Sequence, residues 1–129
     1  MKAVLVDDDP LVLFTLNGLL QRRGYEVLSY ANPLECPVYT SPACPCLPSA
    51  ICPDIIISEV EMPKVGGIKF IETVFKKGCK CKHLALIADK ALDVGSLNRM
   101  AKYGTRFFMK PLDFDELDEW LVRAEQTRH

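Results

Sequence analysis

The sequence lacks any apolar run of the ~18 residues that a membrane-spanning helix requires. It also lacks an excess of either charge, because 16 Lys and Arg residues against 17 Asp and Glu residues give a formal net charge of −1. No broad electrostatic field would therefore attract nucleic acid or an anionic membrane. The apolar N-terminal run is too short for a secretory signal, and carboxylates follow it at once, so we expect a cytoplasmic protein.

Cysteine, in contrast, is abundant: six residues occur in a chain whose expected compartment keeps thiols reduced. Four lie in a proline-rich stretch, residues 36–53, which has no helical or strand period and is interpreted as an ordered insertion or long loop. These four are Cys36, Cys44, Cys46 and Cys52, and Cys79 and Cys81 are expected to approach them from the loop before a later strand. Three interpretations stay open: a structural metal site, with zinc the expected ion, disulfides, and thiols buried as small hydrophobic side chains.

Apolar runs and helical patterns alternate along the chain. Strands are predicted at residues 2–7, 25–30, 55–59, 83–88 and 106–109, and helices at 10–23, 66–77, 91–103 and after Asp113. In the first helix, the core-facing side is predicted to contain Leu11, Phe14, Leu19 and Leu20. Five such alternations predict an α/β fold, with one parallel sheet and helices on both faces, in a single domain spanning 1–129.

Charged side chains follow three of the predicted strands. Asp7 and Asp8 follow the first strand, Glu59 ends the third, and Lys110 follows the fifth. Right-handed crossovers bring the carboxyl ends of parallel strands to one edge, where such sheets bind ligands. The carboxylates there predict a Mg²⁺ site, and Lys110 supplies a positive charge able to pair with a carboxylate or a phosphate.

Three segments carry a resemblance to a known family: V-D-D-D-P at 6–10, I-I-I-S-E-V-E-M-P-K-V-G-G at 55–67, and F-F-M-K-P-L-D at 107–113. With these motifs, the chain resembles the receiver domains of two-component response regulators over nearly all of its length. The resemblance implies a flavodoxin-like, doubly wound five-stranded sheet in the order 2-1-3-4-5. The Cys/Pro-rich insertion would then precede the third strand.

The resemblance also implies a chemistry. Asp7 and Asp8 would hold Mg²⁺, and a histidine kinase would transfer a phosphoryl group to an aspartate at the end of the third strand. Lys110 would contact that group, and Phe107 matches an aromatic residue that moves on activation. The expected partners are a histidine kinase or a downstream effector, bound at the face of the fourth helix, fifth strand and fifth helix. We expect a non-enzymatic protein, either a monomer or a weak homodimer.

Two positions depart from the family pattern. Glu59 stands where the family has its phospho-accepting aspartate, and Ala88 stands where it has Ser or Thr; a one-residue shift would instead place Asp89 there. Glutamate moves the carboxylate outward by about one bond length, and catalysis by positioning tolerates such an error poorly. The departures predict a phosphorylation-independent receiver in which Glu59 pairs with Lys110.

Two rival functions stand beside this prediction. A metal- or redox-sensing module would use the cysteines as its switch and leave the acidic edge vestigial. The pattern Asp7-x-Asp9 after an apolar strand is also similar to that of haloacid-dehalogenase-type phosphatases, Mg²⁺-dependent enzymes with an aspartate nucleophile. The chain has little room for their additional elements, and Ala88 offers no hydroxyl, so the receiver interpretation is favoured over the enzyme.

Overall fold

The computed structural model describes residues 1–41 and 53–127. Its strands are β1 (Lys2–Val6), β2 (Glu26–Tyr30), β3 (Ile55–Glu59), β4 (His83–Ala88) and β5 (Arg106–Met109). Its helices are α1 (Pro10–Arg22), α2 (Pro37–Thr40), α3 (Gly67–Lys76), α4 (Val94–Ala101) and α5 (Phe114–Gln126), with a 3₁₀ helix at Pro33–Glu35. None of these described helices is both long and apolar enough to cross a lipid bilayer.

The strands form one parallel sheet in the order β2-β1-β3-β4-β5, which confirms the predicted doubly wound, flavodoxin-like fold. The central strand is β3, in which Ile56 pairs with Val4 of β1 on one side and with Leu84 of β4 on the other. Every residue of β3 is buried, which explains its continuous apolar run. Because all strands run in the same direction, their carboxyl ends meet at one edge of the sheet.

Two hydrophobic layers cover the two faces of the sheet, and alternating side chains of each strand enter one or the other. The layer beneath α1 and α5 contains Ile57 of β3 together with Leu20 and Leu121. The layer beneath α3 contains Ile56 together with Phe70. Burial on both faces holds β3 rigidly, so the residue that ends it has a well-defined position.

Aspartate N-caps begin α1 and α5, two of the helices that follow strands at the carboxyl edge. The Asp9 carboxylate accepts a hydrogen bond from the Leu11 N–H at 2.9 Å. The Asp113 carboxylate accepts hydrogen bonds from the N–H groups of Asp115 and Glu116, at 2.9 and 3.3 Å. Such caps stabilise a helix by ~1 kcal/mol each, and they fix where α1 and α5 begin relative to the strand ends.

The predicted core face of α1 was partly wrong. Leu20 is buried, but Leu11 and Phe14 are 70% and 79% exposed, and the fully buried residue one turn before Leu20 is Leu16. With 3.6 residues per turn, Leu11 and Phe14 lie on the side of α1 opposite Leu16. Apolar residues occur on every side of this helix, so the sequence pattern alone does not define its buried face. Contact with the sheet determines which side is buried.

The ordered insertion or long loop predicted at 36–53 contains a short regular element. Its beginning forms the one-turn helix α2, with Pro37 at the first helical position. Four residues are too few to produce a recognisable period in the sequence. Residues 42–52 lie outside the described part of the chain. They include three of the predicted metal ligands, Cys44, Cys46 and Cys52.

Candidate functional site

Two buried carboxyl groups lie side by side at the carboxyl edge of the sheet. Asp7 directly follows β1, Glu59 ends β3, and the pairing of Val6 with Ser58 places the two acids on neighbouring strands. Each acid is only 2% exposed. Asp7 Oδ1 accepts a hydrogen bond from the Asp9 N–H at 2.8 Å, whereas Asp7 Oδ2 meets no donor among the described residues. The second oxygen of Asp7 is therefore a buried acceptor available to a ligand.

Lys110 supplies the positive charge of the site. Its Nζ lies 2.8 Å from Glu59 Oε2 and 3.8 Å from Oδ1 of Asp89. Its backbone N–H donates to the Ala88 carbonyl at 2.9 Å, which ties the segment after β5 to the end of β4. The peptide bond between Lys110 and Pro111 is cis. The predicted ion pair of Glu59 with Lys110 is thus present in the structure.

Burial and charge oppose one another at these three groups. Burial raises the pKa of Glu59 to about 7; Lys110 opposes the rise, and the Asp7 carboxylate adds to it. Burial also raises the pKa of Asp7, against the hydrogen bond from the Asp9 N–H and the charge of Lys110. Partial burial lowers the pKa of Lys110, but Glu59, Asp7 and Asp89 together raise it above its ordinary value, so the ammonium stays charged. The acid pair therefore loses its last proton only near neutral pH.

The remaining residues expected at the site lie around this centre. Asp8 is exposed, in contrast to Asp7 beside it. Ala88 is buried at the end of β4 and presents a methyl group where a hydroxyl is expected in the family pattern. Phe107 is half-buried on β5 and lines a hollow of about 200 Å³ next to the loop that leads to α4. The structure thus brings Asp7, Glu59 and Lys110 together and leaves Asp8 on the surface.

Main-chain packing holds the loop after β3 against the acid pair. The Gly67 N–H donates to the Val60 carbonyl at 2.9 Å. A Cβ at Gly67 would lie 2.2 Å from the Glu59 carbonyl oxygen, so α3 can begin this close to β3 only with glycine there. Farther along this edge, Glu61 pairs with Lys90 of the loop before α4 at 3.8 Å.

Sequence reasoning did not identify Gly67 or Lys90 as parts of this site. The Gly66-Gly67 pair is part of the motif that carries the family resemblance, and a glycine at a strand-to-helix junction also permits a close approach of main chains. Lys90 gave no signal, since a single lysine in a polar loop is common on any surface.

The oxygen donors at this edge fit a hard divalent cation such as Mg²⁺. Asp7 Oδ2 is buried without a donor, and the exposed carboxylate of Asp8 follows it directly. Mg²⁺ keeps several waters and needs only one or two protein carboxylates, so Asp7 and Asp8 would hold it. Bound there, the ion would supply positive charge to phosphate oxygens. The Glu59 carboxylate is less available as a ligand because it is already paired with Lys110.

Three of the six cysteines lie within the described residues, and all three belong to the hydrophobic layer beneath α3: Cys36, Cys79 and Cys81. Burial raises the pKa of the Cys36 thiol. The Cys81 thiol donates to main-chain carbonyls of Asp54 and His83. Across residues 1–41 and 53–127, no three His, Cys, Asp or Glu side chains form a group that could hold a metal ion. The predicted zinc site depends on cysteines outside those ranges.

Fold and site together define a class of protein: a doubly wound α/β domain with a buried acid pair and a lysine at the carboxyl edge of its sheet. The sequence model described as the response regulator receiver domain matches residues 3–121. The chain therefore belongs to the family of response regulator receiver domains, which serve two-component signalling. Domains of this family typically bind Mg²⁺ in their acidic pocket, interact with histidine kinases and effectors, and are generally not enzymes.

Individual relatives agree with this assignment. The DNA-binding transcriptional activator EvgA of Escherichia coli is 30% identical over 77 residues, which make up 60% of this chain and 34% of the activator. The match thus spans about a third of the length of this curated relative. The chemotaxis protein CheY4 of Vibrio cholerae is 23% identical with a TM-score of 0.74, and the match covers 95% of this chain and 97% of that one. A receiver domain from Clostridium thermocellum is 20% identical with a TM-score of 0.77, and the match covers 98% and 95% of the two chains. At such identities, the two structures support the fold.

Proposed function

We propose that this receiver acts by protein–protein interaction and does not depend on phosphorylation. The observation that carries the proposal is the 2.8 Å distance between Lys110 Nζ and Glu59 Oε2. In the family pattern, the lysine contacts a phosphoryl group attached to an aspartate. Here a carboxylate that is one methylene longer already reaches the lysine, so the ion pair fills the space that a phosphoryl group would need.

Glu59 is also poorly suited to accept a phosphoryl group. Its pKa of about 7 leaves the carboxyl group partly protonated at neutral pH, and a protonated carboxyl group is a weak nucleophile. Once ionised, the carboxylate is held by the Lys110 ammonium and is not aligned for attack. Since phosphoryl transfer depends on in-line positioning and on charge neutralisation, both features disfavour the reaction.

The loop before α4 supports the same conclusion. Ala88 offers no hydroxyl with which a phosphoryl group could draw this loop inward. Instead, Asp89 lies 3.8 Å from the Lys110 ammonium, and Lys90 pairs with Glu61 at the same distance. Pairs as exposed as these contribute only ~0–1 kcal/mol each, but they connect the loop to the site in the absence of phosphate.

The proposal has consequences for partners and location. One carboxylate carries less charge and fewer acceptors than a phosphoryl group, so Glu59 resembles the phosphorylated state only in part. A histidine kinase or a downstream effector would bind the face of α4, β5 and α5, where Val94, Leu97 and Met109 are exposed. We place the protein in the cytoplasm, as one receiver-like domain over residues 1–129. With a net charge of −1, we propose no nucleic-acid partner.

One observation favours a second candidate, the metal- or redox-sensing module. Cys36, Cys79 and Cys81 lie buried in the same hydrophobic layer, so three thiols of the described residues share one part of the fold. Elemental analysis of protein purified under reducing conditions tests this candidate, which predicts stoichiometric zinc. No observation favours the phosphatase, because Asp9 is engaged as the N-cap of α1.

Exposure to acetyl phosphate and Mg²⁺, followed by intact-mass measurement, tests the proposed function. We expect the wild-type chain to stay unmodified and the Glu59→Asp variant to gain one phosphoryl group, because the shorter acid leaves room beside Lys110. A Glu59→Gln variant is the matched control for modification elsewhere. If wild-type protein is phosphorylated on Glu59 as readily as the Glu59→Asp variant on its aspartate, the proposal is wrong.

A further inference from the structure

The outer side of α1 carries two unusually exposed apolar side chains. Phe14 is 79% exposed, more than any other large apolar residue among those described, and Leu11, about one turn earlier, is 70% exposed. Phe14 takes no part in the acid–lysine site, whereas Leu11 lines a hollow beside Lys110 and Phe114. Apolar side chains that share one exposed face, with polar residues around them, are typical of a surface that another molecule covers.

A hollow of about 430 Å³ lies beside Phe14 on the same helix, and its lining consists of Phe14, Thr15, Asn17, Gly18, Gln21 and Arg22. Gly18 leaves this hollow open. A Cβ at that position would meet only the Arg22 guanidinium, at 3.7 Å, so the fold does not require glycine there. Glycine also disfavours a helix relative to alanine. Gly18 therefore leaves open space on the surface of α1 that a side chain of another molecule can fill.

The two ends of this surface carry opposite charges. Asp8 and Asp9 are exposed just before the first turn of α1, and Arg22 is exposed in its last turn. A helix of this length is about 20 Å long, so one helix laid along it would contact both ends. Two parallel copies would bring like charges together, whereas two antiparallel copies bring the acidic end of each against the basic end of the other.

We propose that a second copy of this chain docks on this face, with α1 packed against α1 in antiparallel orientation about a two-fold axis. When the helices cross at the level of Leu16, Phe14 of each copy comes opposite Gly18 of the other. Each phenyl ring then enters the hollow above the other copy's Gly18. The surface is self-complementary in shape and in charge, as a two-fold interface between identical chains requires.

This dimer does not rest on the proposed function. It uses the outer side of α1 and shares only Asp8 with the acidic site, whereas the proposed partner face consists of α4, β5 and α5. Either proposal can therefore fail without the other, and their experiments report on different variants.

Sedimentation velocity under reducing conditions tests the dimer, over a range from about 10 µM to about 1 mM, since a small interface is expected to be weak. We expect the sedimentation coefficient to rise with concentration from monomer to dimer. Phe14→Lys should weaken association at least about tenfold, because it removes the inserted ring. Gly18→Leu should weaken it similarly, because the new side chain fills the hollow, although it adds apolar surface.

The matched control is Val94→Lys, which removes a comparably exposed apolar side chain from α4 and should leave association unchanged. Circular dichroism melts verify that each variant folds. The proposal is overturned by a chain that stays monomeric throughout, or by a dimer that Phe14→Lys does not weaken. It is also overturned if Gly18→Leu strengthens association, which would indicate unspecific apolar contact. It is likewise overturned if Val94→Lys is the only variant that dissociates the dimer.

Discussion

Glu59 lies between the Asp7 carboxyl group and the Lys110 ammonium group, and its side chain is long enough to reach the ammonium. The third strand ends in a buried carboxyl that reaches Lys110 Nζ at 2.8 Å while Asp7 lies on the other side. An aspartate at this position would end about one bond length earlier and leave a gap before the lysine. In the proposed function, this single methylene replaces the space for a phosphoryl group by an internal ion pair.

The first prediction concerns stability and pH. The pKa of Glu59 rises from 4.5 in the unfolded chain to about 7 in the folded protein, so the folded state binds a proton that the unfolded state has released. Stability therefore falls as pH rises through this window, by on the order of 1–3 kcal/mol. Urea unfolding in the presence of a chelator, at about pH 5 and about pH 8, should show this loss relative to a Glu59→Gln variant.

The Glu59→Gln variant keeps Asp7 and the volume of the side chain, so the difference between the two proteins isolates the Glu59 proton. Equal pH dependence in both proteins would show that Glu59 does not titrate in this range. A wild-type chain that gains stability relative to the variant as pH rises would show that pairing with Lys110 outweighs burial.

A second prediction at this scale concerns Gly67. An added Cβ would lie 2.2 Å from the Glu59 carbonyl oxygen, which is main chain and cannot move independently. We expect Gly67→Ala to destabilise the protein by ~1–3 kcal/mol, measured by urea unfolding, as is usual for overpacking. Gly18→Ala is the matched control: its Cβ has open space, so stability should stay the same or increase by up to ~1 kcal/mol. A Gly67→Ala variant as stable as wild type would contradict the close approach of α3 to β3.

At the scale of elements, an ionic and hydrogen-bonded cluster fastens α5 to the end of α1. Arg23 contacts Glu125 through two nitrogens at 3.0 and 2.7 Å, and the Tyr25 hydroxyl donates to Glu125 at 3.0 Å. Arg23 also contacts Asp118 at 2.5 Å. The bidentate geometry and partial burial make this cluster stronger than an ordinary surface pair.

We therefore expect Glu125→Gln to lower the free energy of unfolding by ~1 kcal/mol, because the charge that holds Arg23 is lost while the shape is kept. Glu26→Gln is the control, since Glu26 is exposed and lies 3.6 Å from Lys2; its effect should stay within ~0.5 kcal/mol. Urea unfolding of both variants checks the prediction. Equal losses for the two substitutions would mean that the cluster contributes no more than a surface pair.

Sequence reasoning succeeded for elements whose pattern has one physical explanation. The run from Ile55 to Glu59 is continuous because both faces of β3 are covered, and Asp113 signalled the start of α5 because a cap is a local interaction. It failed on the orientation of α1, because Leu11 and Phe14 are apolar but lie outside the hydrophobic core. Which side of α1 is buried depends on tertiary contacts, and so does the close approach of main chains at Gly67.

For the whole molecule, one edge of the sheet holds the acid–lysine site, and the cysteines within residues 1–41 and 53–127 are buried in a hydrophobic layer. Asp7, Glu59 and Lys110 stand at the carboxyl ends of β1, β3 and β5; β1 and β3 are neighbours, and β4 lies between β3 and β5. Their meeting at one edge followed from the predicted topology. Cys36, Cys79 and Cys81 lie inside the layer beneath α3. The central proposal therefore concerns the carboxyl edge alone: we propose that the Glu59–Lys110 ion pair occupies the place of a phosphoryl group and fixes the state of the domain.

Backbone amide NMR spectra with Mg²⁺ and beryllofluoride, a phosphoryl mimic, test that claim most directly. The account predicts that adding beryllofluoride to the wild-type chain already in Mg²⁺ leaves the amide resonances of Ala88, Phe107 and Lys110 unchanged. It predicts that they shift in the Glu59→Asp variant, in which room for the mimic has been restored. Shifts of the same size in the wild-type chain would contradict it, because they would show that the mimic binds and moves the site despite the ion pair.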